Sequence, residues 1–156
     1  MDIFTVCFFG HRSFPCSSKL ESTIEQIIES LISEHDYVDF LIGRDGDFDF
    51  FISTILTKFR MEKHTHNFSH IWIMPYSKAE YTKNKSYYEK YYDEIEICNE
   101  SSNCHPKNAF SKRNHSMIDR SDLCIFYVEN TYGGSWEALQ YAKKKNKSFL
   151  NLADTK

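Results

Sequence analysis

Ile3-Phe4-Thr5-Val6-Cys7-Phe8-Phe9-Gly10-His11-Arg12 is the stretch that decides the fold. A strand with one wet face alternates apolar and polar residues, whereas Ile3 to Phe9 stays apolar or β-branched until Gly10 interrupts it. That pattern marks a strand buried on both faces, as in parallel sheets covered by helices. Outward from it the same unit repeats. Leu20, Ile24, Ile27, Ile28, Leu31 and Ile32 recur at helical spacing behind Ser17 and Ser18, residues suited to cap a helix. Val38, Phe40, Leu41 and Ile42 form a second strand ending at Gly43. Phe48, Phe51, Ile52, Ile55, Leu56 and Phe59 mark a second helical stripe, and Ile71 to Met74 read as a third strand stopped by Pro75.

Further on, the Tyr- and Lys-rich stretch from Tyr76 to Tyr92 reads as a peripheral helix, within a peripheral segment at about 76–93. Ile95 and Ile97 alternate as in a short strand, and Asn99 to Pro106 reads as a loop from its Ser, Asn and Pro content. A helix over 107–120 leads into Leu123 to Val128, the second clearest two-faced strand. Gly133-Gly134 then open a final helix carrying Trp136, Leu139, Gln140 and Tyr141, before a last strand at Ser148 to Leu152. Strands alternating with helices imply right-handed crossovers. The expected fold is α/β, a doubly wound, mostly parallel sheet with helices on both faces, Rossmann-like, as one domain over 1–156 with the first strand near its centre.

Composition agrees with a packed globular domain. The 156 residues include 19 Lys+Arg against 22 Asp+Glu, a net charge of −3, with 41% hydrophobic residues and only 5 Gly and 3 Pro. This excludes a disordered or collagen-like chain. No apolar run approaches the ~18 residues of a membrane span. The beginning lacks a basic leader and reads as a strand, so the cytoplasm is the expected compartment. Five cysteines show no CxxC spacing, and Cys7 and Cys124 lie in apolar runs as small hydrophobes. Cys98, Cys104 and His105 have no fourth ligand at a recognisable spacing, and His64, His66 and His70 read as a polar helix end entering a strand. No metal and no cofactor are expected.

In doubly wound sheets ligands bind outside the carboxyl ends of the strands, so the loops after each strand carry the chemistry. Gly10-His11-Arg12 precede a helix whose free N–H groups and dipole favour an anion. There Arg12 suits a phosphate, His11 can donate to a phosphate or sugar hydroxyl, and Gly10 permits close backbone approach. Gly43, Gly46 and Asp49 line the opening of the second helix, where Asp47 reads as a cap and Phe48 as a core anchor. Gly133, Gly134 and Ser135 suit a phosphate cradle. Glu137 stands in the first turn beyond them, and Arg113-Asn114 lie in the helix before the preceding strand.

Together, Gly10-His11-Arg12, Gly43-x-x-Gly46-x-Phe48-Asp49, Arg113-Asn114-x-x-Met117-Ile118-x-x-Ser121-Asp122 and Gly133-Gly134-Ser135 resemble the SLOG superfamily. The closest likeness is to its YpsA-like branch, and more distantly to DprA/Smf proteins and the lonely-guy (LOG) phosphoribohydrolases. The resemblance implies a Rossmann-like domain that binds a nucleotide or nucleotide-derived ligand. In the LOG enzymes an Arg and a Glu act in N-glycosidic cleavage, and Arg113 and Glu137 stand at similar places. This chain has no Pro before Gly133 and lacks the LOG spacer between the glycines and the hydroxyl.

The leading expectation is therefore a sensor or regulator whose partner is a nucleotide-derived small molecule. Under it, Gly10, His11, Arg12, Gly43, Gly46, Asp49, Asn114, Gly133, Gly134 and Ser135 bind the ligand. One alternative is an N-glycosidase acting on nucleoside 5′-monophosphates, with Arg113 holding the ribose and phosphate and Glu137 assisting water. The other is a DprA-like nucleic-acid accessory protein, against which the net charge of −3 is taken to count. No membrane partner is expected, and self-association is left open.

Overall fold

In the computed structural model, which describes residues 1–155, the central strand is β1, Ile3–Gly10. It lies between β2, Tyr37–Ile42, and β5, Leu123–Tyr127, and both pairings are parallel. β3, Phe68–Met74, and β4, Glu94–Ile97, extend the sheet on the β2 side, and β6, Phe149–Asn151, closes the other. The order is β4-β3-β2-β1-β5-β6, with every pairing parallel. A parallel pair needs a crossover rather than a hairpin, and the helical stripes supply it. These are α1, Ser18–Glu34, and α2, Asp47–Met61, with the short α3, Ala79–Lys83, and α4, Lys85–Tyr91. Then follow α5, Asn99–Ser102, α6, Pro106–Asp119, and α7, Gly134–Lys144. The expected α/β, mostly parallel Rossmann-like architecture is the one observed. Among the described residues no helix is long and apolar enough to cross a membrane.

Alternation along β1 explains its unbroken apolarity. Successive side chains of a strand point to opposite faces. Val6 and Phe8 enter the core that includes Ile24, Ile28 and Phe48, while Cys7 and Phe9 enter the one that includes Met117, Phe126 and Leu139. Ser17 caps α1 as its spacing suggested, its Oγ accepting the Leu20 N–H at 3.2 Å.

Two segments differ from expectation. Residues 79–91 form two short helices broken at Asn84 instead of one; they are mostly exposed, with Tyr88 the buried residue of the pair. Tyr88 and Tyr92 pack on buried Trp72 with ring centroids 5.2 Å away in each case. Asn99–Ser102 is a helical turn rather than loop, because the buried Ser101 hydroxyl donates to the Pro75 carbonyl at 2.5 Å, a bond that composition does not reveal.

Gly10 ends β1 for a packing reason. A Cβ there would sit inside the Phe48 ring, which is wholly buried. The closeness is therefore between strand end and core, rather than between backbone and ligand. Gly10→Ala is expected to lower unfolding free energy by about 1–3 kcal/mol, the usual cost of overpacking. Urea denaturation measures it, and an unchanged midpoint contradicts the packing role.

Candidate functional site

The sheet order reverses at β1, and at its carboxyl edge the loops after β1, β2 and β5 meet α6 around a crevice of about 530 Å³. Gly10, His11, Arg12, Gly43, Gly46, Asp49, Arg113, Asn114, Gly133, Gly134 and Ser135 all line it, although Gly10 and Ser135 lie at opposite ends of the chain. Glu137 does not. Its exposed carboxylate accepts the Ser111 hydroxyl at 2.7 Å, and Glu137 lines a smaller depression of about 170 Å³ between α6 and α7. Arg113 and Glu137 are thus not brought to one ligand volume.

The glycines divide into two kinds. Gly46 lies against the Arg12 backbone, where a Cβ would come within 2.5 Å of Arg12 Cα. A side chain on Gly43 would meet the Asp45 carboxylate at 2.6 Å. Both make room for protein. Gly133, in contrast, has φ of 93° and open space around it, as has Gly134. Only glycine adopts that left-handed φ without strain. It delivers the chain into α7 with no side-chain cap, so the first-turn N–H groups of α7 remain available at the crevice.

Arg113 is 4% exposed, and each of its three nitrogens donates to a protein acceptor. Its Nη2 donates to Asp45 Oδ2 at 2.7 Å, Nη1 to the Ile73 carbonyl at 2.9 Å, and Nε to Asn114 Oδ1 at 2.9 Å. Lys78 Nζ reaches the other Asp45 oxygen at 2.9 Å. Burial would raise the Asp45 carboxyl, but Arg113 and Lys78 outweigh it and hold the group below its ordinary value. Arg12 is the opposite case. It is exposed on the crevice wall and, among the described residues, its guanidinium has no hydrogen-bond or ion-pair partner.

His11 has a different role from the one expected. Its Nε2 accepts the backbone N–H of Glu129 at 2.9 Å and that of Asn130 at 3.4 Å, so the neutral ring carries its proton on Nδ1. Burial pushes its pKa below the ordinary 6.5, which keeps that lone pair available. The imidazole ties the β5–α7 loop to the end of β1, and Nε2 does not donate to a phosphate. Ser135 makes a second tie, its Oγ donating to the Gly10 carbonyl at 2.6 Å. What Ser135 offers a ligand is its N–H.

Asp45, Phe110, Glu129 and Tyr132 also line the crevice, with Lys78 held against Asp45, and none was singled out in the sequence. Phe110 precedes Arg113 by one helical turn, a spacing that places both on one face and could have flagged it. Tyr132, 70% exposed on the crevice rim, gave no signal beyond its neighbouring glycines.

No protein-family profile matches the chain, and no curated protein matches it in sequence. Solved structures do match in fold. DNA processing protein A (DprA) from Streptococcus pneumoniae superposes with a TM-score of 0.62 at 12% identity, over 94% of this chain and 49% of that one. DprA from Helicobacter pylori gives a TM-score of 0.62 at 17% identity, over 94% of this chain and 63% of that one. The chain therefore spans about half to under two-thirds of these proteins. Both matches support the DprA side of the motif resemblance at the level of fold.

They also correct one expectation. Net charge was taken to argue against nucleic acid, yet the H. pylori protein of this fold is described by its single-stranded DNA binding mode. Net charge sums the whole surface, whereas a phosphate contact depends on a few groups near it.

Asp49 is expected to leave a pH signature on stability. Burial, and then the Asp45 carboxylate, push it up to about 7. A carboxyl raised on folding favours the native state below its unfolded pKa, and that advantage disappears as pH rises through the folded one. Asp49→Asn should therefore stabilise the protein more at pH 8 than at pH 5, by on the order of a few kcal/mol. Equal shifts in melting temperature at both pH values would show that Asp49 is ionised throughout.

Proposed function

We propose that the crevice holds a nucleotide unit of single-stranded DNA, so that the chain acts as a DprA-like nucleic-acid accessory module. The observation that carries this reading is one crevice lined by both an unpartnered guanidinium, Arg12, and the open N-terminus of α7 at Gly133-Gly134. Both favour a phosphate, and they supply its hydrogen bonds without displacing an existing salt bridge. A volume of about 530 Å³ suits one nucleotide rather than a duplex. The crevice shares Phe110, Asn114 and Gly134 with the depression along the α6–α7 seam, which gives a bound nucleotide an open side where a strand can continue. The likeness to DprA supports the same choice of partner.

A free nucleotide-derived ligand fits the same cradle and makes the chain a sensor; the continuation along α6 is what favours a strand. N-glycosidic cleavage is not part of the proposal, because all three Arg113 nitrogens already donate to protein acceptors and Glu137 lies outside the crevice.

Fluorescence anisotropy with a labelled oligo-dT tests the reading. Arg12→Ala should weaken binding roughly tenfold to a hundredfold, as expected for loss of a charged hydrogen-bond partner. With one or two phosphates contacted, the log–log salt slope should be shallow, about −0.7 to −1.4. Thymidine monophosphate competing as well as the oligonucleotide would replace the strand reading with the sensor one. Absence of binding to either would overturn both.

A further inference from the structure

The crevice wall carries an acid that its ion pairs do not use. Asp49 is only 9% exposed, yet it lines the crevice. Its Oδ2 accepts the Asp45 N–H at 3.0 Å, and among the described residues Oδ1 has no hydrogen-bond partner. Oδ1 is not among the sealed, unpartnered polar atoms of the described residues, so this oxygen opens on the crevice, where an entering ligand can meet it. The groups facing Asp49 are the Asp45 carboxylate on the loop that leads into α2, Arg113 from α6 and Lys78 from the start of α3. With Asp49 ionised, two cations and two carboxylates cancel; with Asp49 neutral, the cluster is left with one positive charge. An anion entering beside Arg12 is therefore favoured by the neutral acid, whose O–H also becomes a donor.

We propose that Asp49 is a specificity-determining residue that meets the ligand as a neutral acid, donating its O–H from Oδ1 to an oxygen of the bound nucleotide, so that an anionic ligand and a proton bind together. The proton comes from solvent, and no bond to carbon or phosphorus changes. The inference rests on the anionic nucleotide ligand proposed above. The position of Asp49 near half-protonation at neutral pH, about 7, places the coupling within an accessible range. His11 stays neutral over that range, because burial lowers its pKa, and its lone pair is engaged by the β5–α7 loop.

Calorimetric titration of oligo-dT into the full chain, in two buffers of different ionisation enthalpy, reads the proton directly. At pH 7 the wild type should take up about half a proton per binding event, and affinity should fall toward tenfold per pH unit between pH 7 and 8.5. Asp49→Asn should still bind, with no uptake and no such slope. Carboxyl carbon NMR of the wild type supplies a second reading that needs no variant: one aspartate should titrate near pH 7 and move upward when oligo-dT is added. Binding without proton uptake, or an Asp49 resonance that stays or moves downward, overturns this inference and leaves the proposed function standing. Loss of all binding to oligo-dT and thymidine monophosphate overturns both.

Discussion

The ion pair between Arg113 and Asp45, 2.7 Å long and nearly closed to solvent, is the interaction on which the crevice depends. It joins α6 to the loop after β2. Through Ile73 the same guanidinium holds the end of β3, and through Asp45 the same carboxylate holds Lys78 at the start of α3. Removing Asp45 leaves the buried Arg113 guanidinium without its ion-pair partner, a change that typically costs about 3–5 kcal/mol, whereas Asp45 without Arg113 still has Lys78. Gly43 is small because this cluster occupies the space a side chain would need. The crevice therefore has a wall of mutually satisfied charge, on which Arg12 and Asp49 are the groups left with capacity to spare.

Much of the fold was legible in particular residues. The unbroken run from Ile3 to Phe9 announced a two-faced parallel strand, and the stripes through Ile24, Ile28 and Leu31 and through Phe48, Ile52 and Leu56 announced its crossovers. Segments whose packing partners lie far away in the chain were less readable. Tyr88 and Tyr92 are recognisable as core only once Trp72 is placed beside them, and the Ser101 turn only once Pro75 is.

At the site, the sequence indicated which loops converge but not what each side chain does there. Gly10 and Gly46 are glycines because Phe48 and Arg12 crowd them, whereas Gly133 and Gly134 face open space, and a glycine's letter is the same in both settings. His11 looked like a donor and is an acceptor, since only the fold brings the Glu129 N–H to its Nε2. Arg113 looked available to hold a ribose and phosphate, and instead holds Asp45, 68 residues away. Charge misled for a related reason: a sum of −3 over the chain says little about a crevice where the Asp45 carboxylate is matched by Arg113 and Lys78.

Amide chemical-shift mapping tests the central claim most directly, because it locates the ligand on the backbone groups said to hold it. On titration with oligo-dT, the N–H resonances of Gly133, Gly134, Ser135 and Trp136 should show the largest perturbations, joined by Arg12 and Asp49, while those of β4 and β6 stay still. Largest shifts on the far edge of the sheet, or along the Lys-rich end of α7 with the Gly133-Gly134 turn unmoved, would contradict the account.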